Sequence, residues 1–345
     1  MTLSSIPPNL SYDLLVTWWS DYSRIHSTIS VSATRELCSL LETTKSKNEI
    51  TCGFEFHHYS LTRKPDFLVF SDTSTLSRFD HIILPDWWSS FESFVNGQAS
   101  KGIGVVPENW LEFDFVGSNL VLAGLWQRLF QINSDDHKCI NLSEWDFFCA
   151  LLCSSFFDHT ALSHPILKST ISYLSLPHQL GIMHARRNKL KLVYQCHTEE
   201  SLNQLDSLLA YLGELTCSDI FDITQYLRNN LSLFSVAVSL DIDLQMCSLS
   251  QQHIAFEIMP VDKHRSQSQI SILHSLINLF HVHPSEVDQL YQVLDLLPYG
   301  QVYQFPSHAT HSSLRNVAKL NHLKFIYISG EWHIKSYIKL VQQIF

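Results

Sequence analysis

Five times along this chain, two short β-rich runs stand on either side of a turn. The pairs fall near 52–70, 110–126, 178–196, 233–259 and 322–341. Several of the runs alternate apolar and polar residues. Strand side chains point to opposite faces in turn, so such a run is oily on one side and polar on the other. The last pair is the clearest. His322-Leu-Lys324-Phe-Ile-Tyr327-Ile is followed by Ser329-Gly330-Glu331, a hairpin signal, and then by Trp-His333-Ile-Lys335-Ser-Tyr337-Ile-Lys339. His333, Lys335, Tyr337 and Lys339 share one face; Ile334, Ser336, Ile338 and Leu340 share the other. The same alternation sets Glu55 and His57 against Phe54 and Phe56, and Glu112 and Asp114 against Leu111, Phe113 and Phe115. Lys189, Lys191 and Val193 share a face in the third pair. Ser239, Asp241 and Asp243 do so in the fourth, opposite a partner strand that carries Glu257.

Helical stretches separate the pairs. The apolar spacing predicts helices within 11–45, 77–100, 142–175, 198–212, 218–229, 266–280 and 285–297, with a short helical turn at 315–320. The chain therefore reads as about five repeats of two helices and a hairpin, at spacings of roughly 55–75 residues. Ten antiparallel strands with helices between the hairpins can close into one barrel, which removes sheet edges. Helices then cover the apolar outer face, and the polar faces are left for the lumen. A barrel of about ten strands leaves room inside for a ligand or solvent. The predicted fold is α+β, a single barrel domain over residues 1–345. An open α+β sheet in two domains is the alternative that the same alternation allows; the repetition favours the barrel.

Composition narrows the function. The chain has 345 residues, 23 Lys+Arg against 33 Asp+Glu, and a formal net charge of −10. A general nucleic-acid binder carries a basic surplus, so no nucleic-acid partner is expected. The start, Met1-Thr-Leu-Ser-Ser-Ile-Pro-Pro, lacks the basic and apolar regions of a signal peptide. No apolar run approaches the roughly 20 residues that span a bilayer. The 8 Cys are scattered with no Cys-x-x-Cys pair, which suits a reducing, cytoplasmic setting. Gly is sparse, and Lys101-Gly-Ile-Gly104 is too short for a phosphate-binding fingerprint. The 19 His show no zinc-ligand spacing, and no nucleophile elbow occurs.

With its repeat order, its polar strand faces and Lys/Tyr-bearing strands such as Lys189-Leu-Lys191 and Lys335-Ser-Tyr337, the chain resembles the aromatic prenyltransferase barrel. That family includes indole, phenol and peptide prenyltransferases. The resemblance is architectural and covers nearly the whole chain. It implies transfer of a prenyl group from its diphosphate to an aromatic or peptide side chain inside the lumen. It implies no tightly bound cofactor, with Mg²⁺ arriving alongside the diphosphate. It also implies Lys, Arg and Tyr around the diphosphate, aromatic side chains around the allylic cation, and a carboxylate near the acceptor.

Carried onto this sequence, Glu112 and Asp114 are the candidate catalytic acids, with Glu112 the better base. The candidate binding residues are Lys189, Lys191, Tyr194, Asp241, Lys324, Tyr327, His333, Lys335, Tyr337 and Lys339. Preorganised cations in a dry site would stabilise the leaving diphosphate. The same lysines could instead balance carboxylates, since inward acids are at least as numerous as inward bases and few Arg fall on inward positions. Asp241, Asp243, Glu257 and Glu55 could hold Mg²⁺ or neutralise lysines. The charge map decides between these readings. Lysines gathered at one mouth above Glu112 favour transfer. Lysines paired off with carboxylates favour a lumen that binds a peptide or small molecule without chemistry; a metal-assisted lumen enzyme is a third reading.

Overall fold

The computed structural model describes residues 52–60, 65–72, 86–99, 108–116, 119–129, 142–155, 164–174, 177–183, 185–186, 189–212, 217–243, 253–260, 268–295, 302–304 and 313–344. The expected helices within 11–45 lie outside them. Five hairpins are present: β1 (Cys52–His57) with β2 (Asp66–Asp72), β3 (Glu108–Val116) with β4 (Asn119–Arg128), β5 (Gln179–Met183) with β6 (Lys189–Gln195), β7 (Phe234–Asp243) with β8 (His253–Pro260), and β10 (Ser313–Ile328) with β11 (Glu331–Ile344). A three-residue strand, β9 (Val302–Gln304), pairs with β10. Each hairpin also pairs antiparallel with the next, from β2–β3 to β8–β10. β11 then pairs with β1 from Cys52↔Leu340 to His57↔Lys335. The ring closes with ten strands.

Seven helices are described: α1 (Trp88–Ala99), α2 (Leu142–Cys153), α3 (Pro165–Leu174), α4 (Glu199–Leu212), α5 (Cys217–Asn229), α6 (Ser268–Leu279) and α7 (Pro284–Asp295). One stands between β2 and β3, two between β4 and β5, two between β6 and β7, and two between β8 and β10. Local chemistry starts them. The Thr198 hydroxyl accepts the Ser201 N–H at 3.1 Å, an N-cap before the Glu199-Glu200 first turn of α4. Pro284 opens α7, where a missing N–H costs nothing.

The core lies between helices and barrel. Phe54, Phe67, Phe113, Phe256 and Phe325 leave their strands outward and are buried with Phe91, Phe148 and Leu205 of the helices and with Phe280 just after α6. The Phe280 and Phe325 rings stack at 4.1 Å. Burial of each such ring is worth about 1.5–3 kcal/mol. The partners of Phe54 and Phe67 along their strands, Glu55 and Asp66, are buried as well, on the opposite face. The barrel is thus apolar outside and charged inside.

Two irregularities tune the lumen. Glu112↔Gly124 is followed by Phe113↔Leu122, so Ala123 is an extra residue in β4. Leu320↔Ile338 is followed by His322↔Tyr337, so Asn321 bulges from β10 and His322 and Lys324 are set inward. The closing turn places Ser329 at φ 54° and Gly330 at φ 94°, the paired positive values of a two-residue primed hairpin. The short helical turn expected at 315–320 is corrected: those residues belong to β10, paired with β11 from Leu314↔Ile344 onward. Long-range pairing outweighs local helix preference there.

Candidate functional site

The two ends of the lumen differ. At one end lie the strand ends joined within each hairpin. At the other, the linker end, lie the strand ends that lead to and from the helices. Toward the hairpin end sits a dense charged cluster built around Arg186, from the β5–β6 turn. Its guanidinium is 2.6 Å from Glu112 Oε1 and 2.8 Å from Asp66 Oδ2, and it also donates to Asp114. The His57 ring continues the cluster, with Nε2 2.8 Å from Asp66 Oδ2 and Nδ1 3.1 Å from the Tyr59 hydroxyl. Burial would push the Arg186 guanidinium down, but Glu112, Asp66 and Asp114 outweigh it and hold it well above its ordinary value.

The middle layer is also paired. Lys335 Nζ is 2.5 Å from Glu55 Oε1, and the Tyr337 hydroxyl donates to the other oxygen. Lys324 Nζ is 2.9 Å from Glu257 Oε1. Lys191 Nζ is 3.9 Å from Asp241 Oδ2. Burial raises Glu55, yet Lys335, His57, Lys191 and Lys324 together hold its carboxyl well below the usual range. Glu112 is lowered in the same way, burial being offset by Arg186 and Lys191. Desolvation lowers the Lys191 ammonium below its ordinary value despite Asp241. Lys324 ends above its own, because Glu257, Asp241 and Glu55 outweigh its burial.

Trp126 roofs this layer. Its indole N–H donates to Glu112 Oε2 at 2.6 Å. Its ring lies over Gly181, where a Cβ would meet ring atoms at 2.8 Å. The Lys191 and Lys324 ammonium groups are 5.1 and 6.0 Å from its centroid. Beyond Trp126, toward the linker end, is a cavity of about 420 Å³ whose walls include Trp110, Trp126, Leu68, Val193, His322 and Tyr337. That volume is in the range of small-molecule pockets, roughly 300–1,000 Å³.

The expected site residues divide accordingly. Glu112, Asp114, Lys191, Asp241, Lys324, Lys335 and Tyr337 converge on the lumen. Lys339 lines the cavity, whereas Lys189 pairs with Met183 at the hairpin end. His333 is at that rim too, its Nδ1 2.8 Å from Glu286 Oε1 of α7. Tyr194 and Tyr327 point the other way. Each is one residue out of step with an inward neighbour, Val193 or Ile326, and packs in the helix-facing core. Arg186 stands in the turn between β5 and β6, on no strand face, so alternation does not nominate it. The surplus of inward acids was the signal that a further cation had to reach them. Asp243 has its backbone in β7 opposite Lys189.

Two carboxylate sets, Glu55 with His57 and Asp66, and Asp66 with Glu112 and Asp114, bring ligand-type atoms within 4.8 Å of one another. Lys335, His57 and Arg186 already engage these groups, so the arrangement does not fit a resident Mg²⁺ with its octahedral oxygen shell. No described helix is long and apolar enough to cross a membrane. The chain matches no protein-family model and no curated protein.

Proposed function

We propose that the lumen is a binding chamber that admits a flat apolar or aromatic group, from a small molecule or a peptide side chain, through its linker end. One observation carries this reading. The cavity has aromatic walls, and cations beneath it are already engaged by carboxylates: Lys335 by Glu55, Lys324 by Glu257, Arg186 by three at once. A floor whose cations are taken up and whose carboxylates are in surplus offers little to a highly charged anion, while Trp110, Trp126 and Tyr337 offer area and ring faces. Filling the space tests it. Ala237 lines the cavity, and Ala237→Phe is expected to remove toluene binding seen by calorimetry in the wild type. Equal binding by both proteins sinks the reading.

A second reading is prenyl transfer, which the resemblance implies and Lys191 supports. Its nearest carboxylate is 3.9 Å away, and it faces Trp126 beside Lys324. A diphosphate between these ammonium groups would leave its allylic carbon among aromatic rings, with Glu112 as proton acceptor and Mg²⁺ entering with the co-substrate. Calorimetry with dimethylallyl, geranyl and farnesyl diphosphates decides it. Binding that Lys191→Met weakens at least tenfold supports transfer; absence of binding by all three rules it out.

A further inference from the structure

We propose that His322 and Glu257 form a site for one hydroxyl group, so that the chamber selects phenols over otherwise equal arenes. This rests on the binding-chamber reading and names its ligand class.

Both residues line the cavity. Lys324 takes Glu257 Oε1 at 2.9 Å. Glu257 Oε2 is left facing His322 Nε2 at 3.9 Å. That is too long for a hydrogen bond. One oxygen at ordinary hydrogen-bonding distance from each would span it. His322 Nε2 has almost no accessible surface and no hydrogen-bond partner, so the oxygen enters as the ring turns slightly toward the cavity and relieves a state that costs free energy.

The ring is held for this purpose. Asn321 Nδ2 is 2.9 Å from Nδ1, so an amide donating there leaves the hydrogen of a neutral ring on Nε2. Burial lowers the imidazole below its ordinary value and keeps it neutral, although Glu257 pulls the other way. The Tyr337 ring stacks on it at 3.9 Å and 22°.

The bridging atom must accept from Nε2–H and give a hydrogen to a carboxylate. A hydroxyl does both. An ether or carbonyl cannot give, an ammonium cannot accept, and a carboxylate would meet Glu257 as a like charge. The rings around the position, Tyr337, Trp110 and Trp126, suit an aryl carrier. A trapped water could meet the same two partners, and then a ligand's hydroxyl would gain nothing.

Calorimetry on the full chain with p-cresol, toluene and 4-methylanisole separates the cases. The expected result is that p-cresol binds at least about tenfold more tightly than the other two, since a site built around a hydroxyl penalises analogues without one. His322→Phe keeps a ring against Tyr337; it is expected to bring the p-cresol to toluene ratio near one, whatever it does to the affinity for toluene itself. Equal affinities for p-cresol and toluene in the wild type overturn the hydroxyl site and leave the chamber standing. Binding of none of the three overturns both. Should the His322→Phe protein fail to fold, the wild-type ratio alone decides.

Discussion

At Gly181 a single methyl group would collide with the Trp126 ring, which has no flexible end to swing aside. Gly181→Ala is therefore expected to lower stability by about 1–3 kcal/mol, as overpacking does, and to weaken arene binding by tilting Trp126. Urea denaturation and calorimetry check the pair. Arg186 has the larger stake. Arg186→Met would leave the buried Asp66 and Glu112 and the half-buried Asp114 without their shared cation, at a cost of about 3–5 kcal/mol; an unfolding free energy from urea denaturation that falls by less than about 1 kcal/mol contradicts the cluster. Lys335→Ala strands Glu55 by the same logic, so its loss is expected in stability and not in ligand binding alone. Much of this layer was legible in the sequence. Period-two alternation placed Glu112, Lys191, Lys324, Lys335 and Tyr337 inward. It could not place Arg186, because a turn residue belongs to no strand face. Tyr194 and Tyr327 entered through a Lys/Tyr pattern, and alternation puts both outside.

Among the elements, α7 packs Leu290 and Val293 into the core and adds a carboxylate tie to the barrel. Glu286 takes the Ile334 N–H at 2.9 Å and His333 Nδ1 at 2.8 Å. Glu286→Ala orphans a backbone donor and is expected to cost about 1–3 kcal/mol. Amide exchange gives a sharper reading. The Ile334 N–H should exchange faster while the Phe325 N–H, in the neighbouring strand, keeps its protection. Uniform acceleration at both would mean a general loosening instead. The hairpins were legible from their paired β-rich runs, and the last one also from its turn chemistry at Ser329-Gly330. The stretch 315–320 was not. Its strand state depends on β11, a partner that local spacing does not reveal. The bulges at Ala123 and Asn321 were hidden for the same reason, yet the second one sets His322 against Tyr337.

For the whole molecule, the charged lumen makes stability depend on pH with a definite sign. Glu55, Glu112 and Glu257 are all held below the usual carboxylate range. The unfolded chain therefore takes up their protons first as pH falls. The stability they contribute is complete above the ordinary carboxylate value of about 4.3 and is lost as pH drops through their lowered folded values. Urea midpoints should decline modestly below about pH 6.5, where the unfolded chain charges the imidazole that burial keeps neutral at His322, and fall more steeply below about pH 4; a midpoint that rises on acidification contradicts the pairing. Closure itself was readable from the repetition of hairpins with polar faces, since ten strands with a charged face need somewhere to bury it. The balance of lumen charge was not, because it turns on distances between strands far apart in sequence. The central claim, a closed barrel with an open aromatic chamber at its linker end, is tested most directly by bromine anomalous diffraction from crystals soaked in bromobenzene. A bromine peak is expected inside the ring of strands, against Trp110, Trp126 and Tyr337. Bromine found only on the outer surface, with side chains filling the lumen, would contradict it.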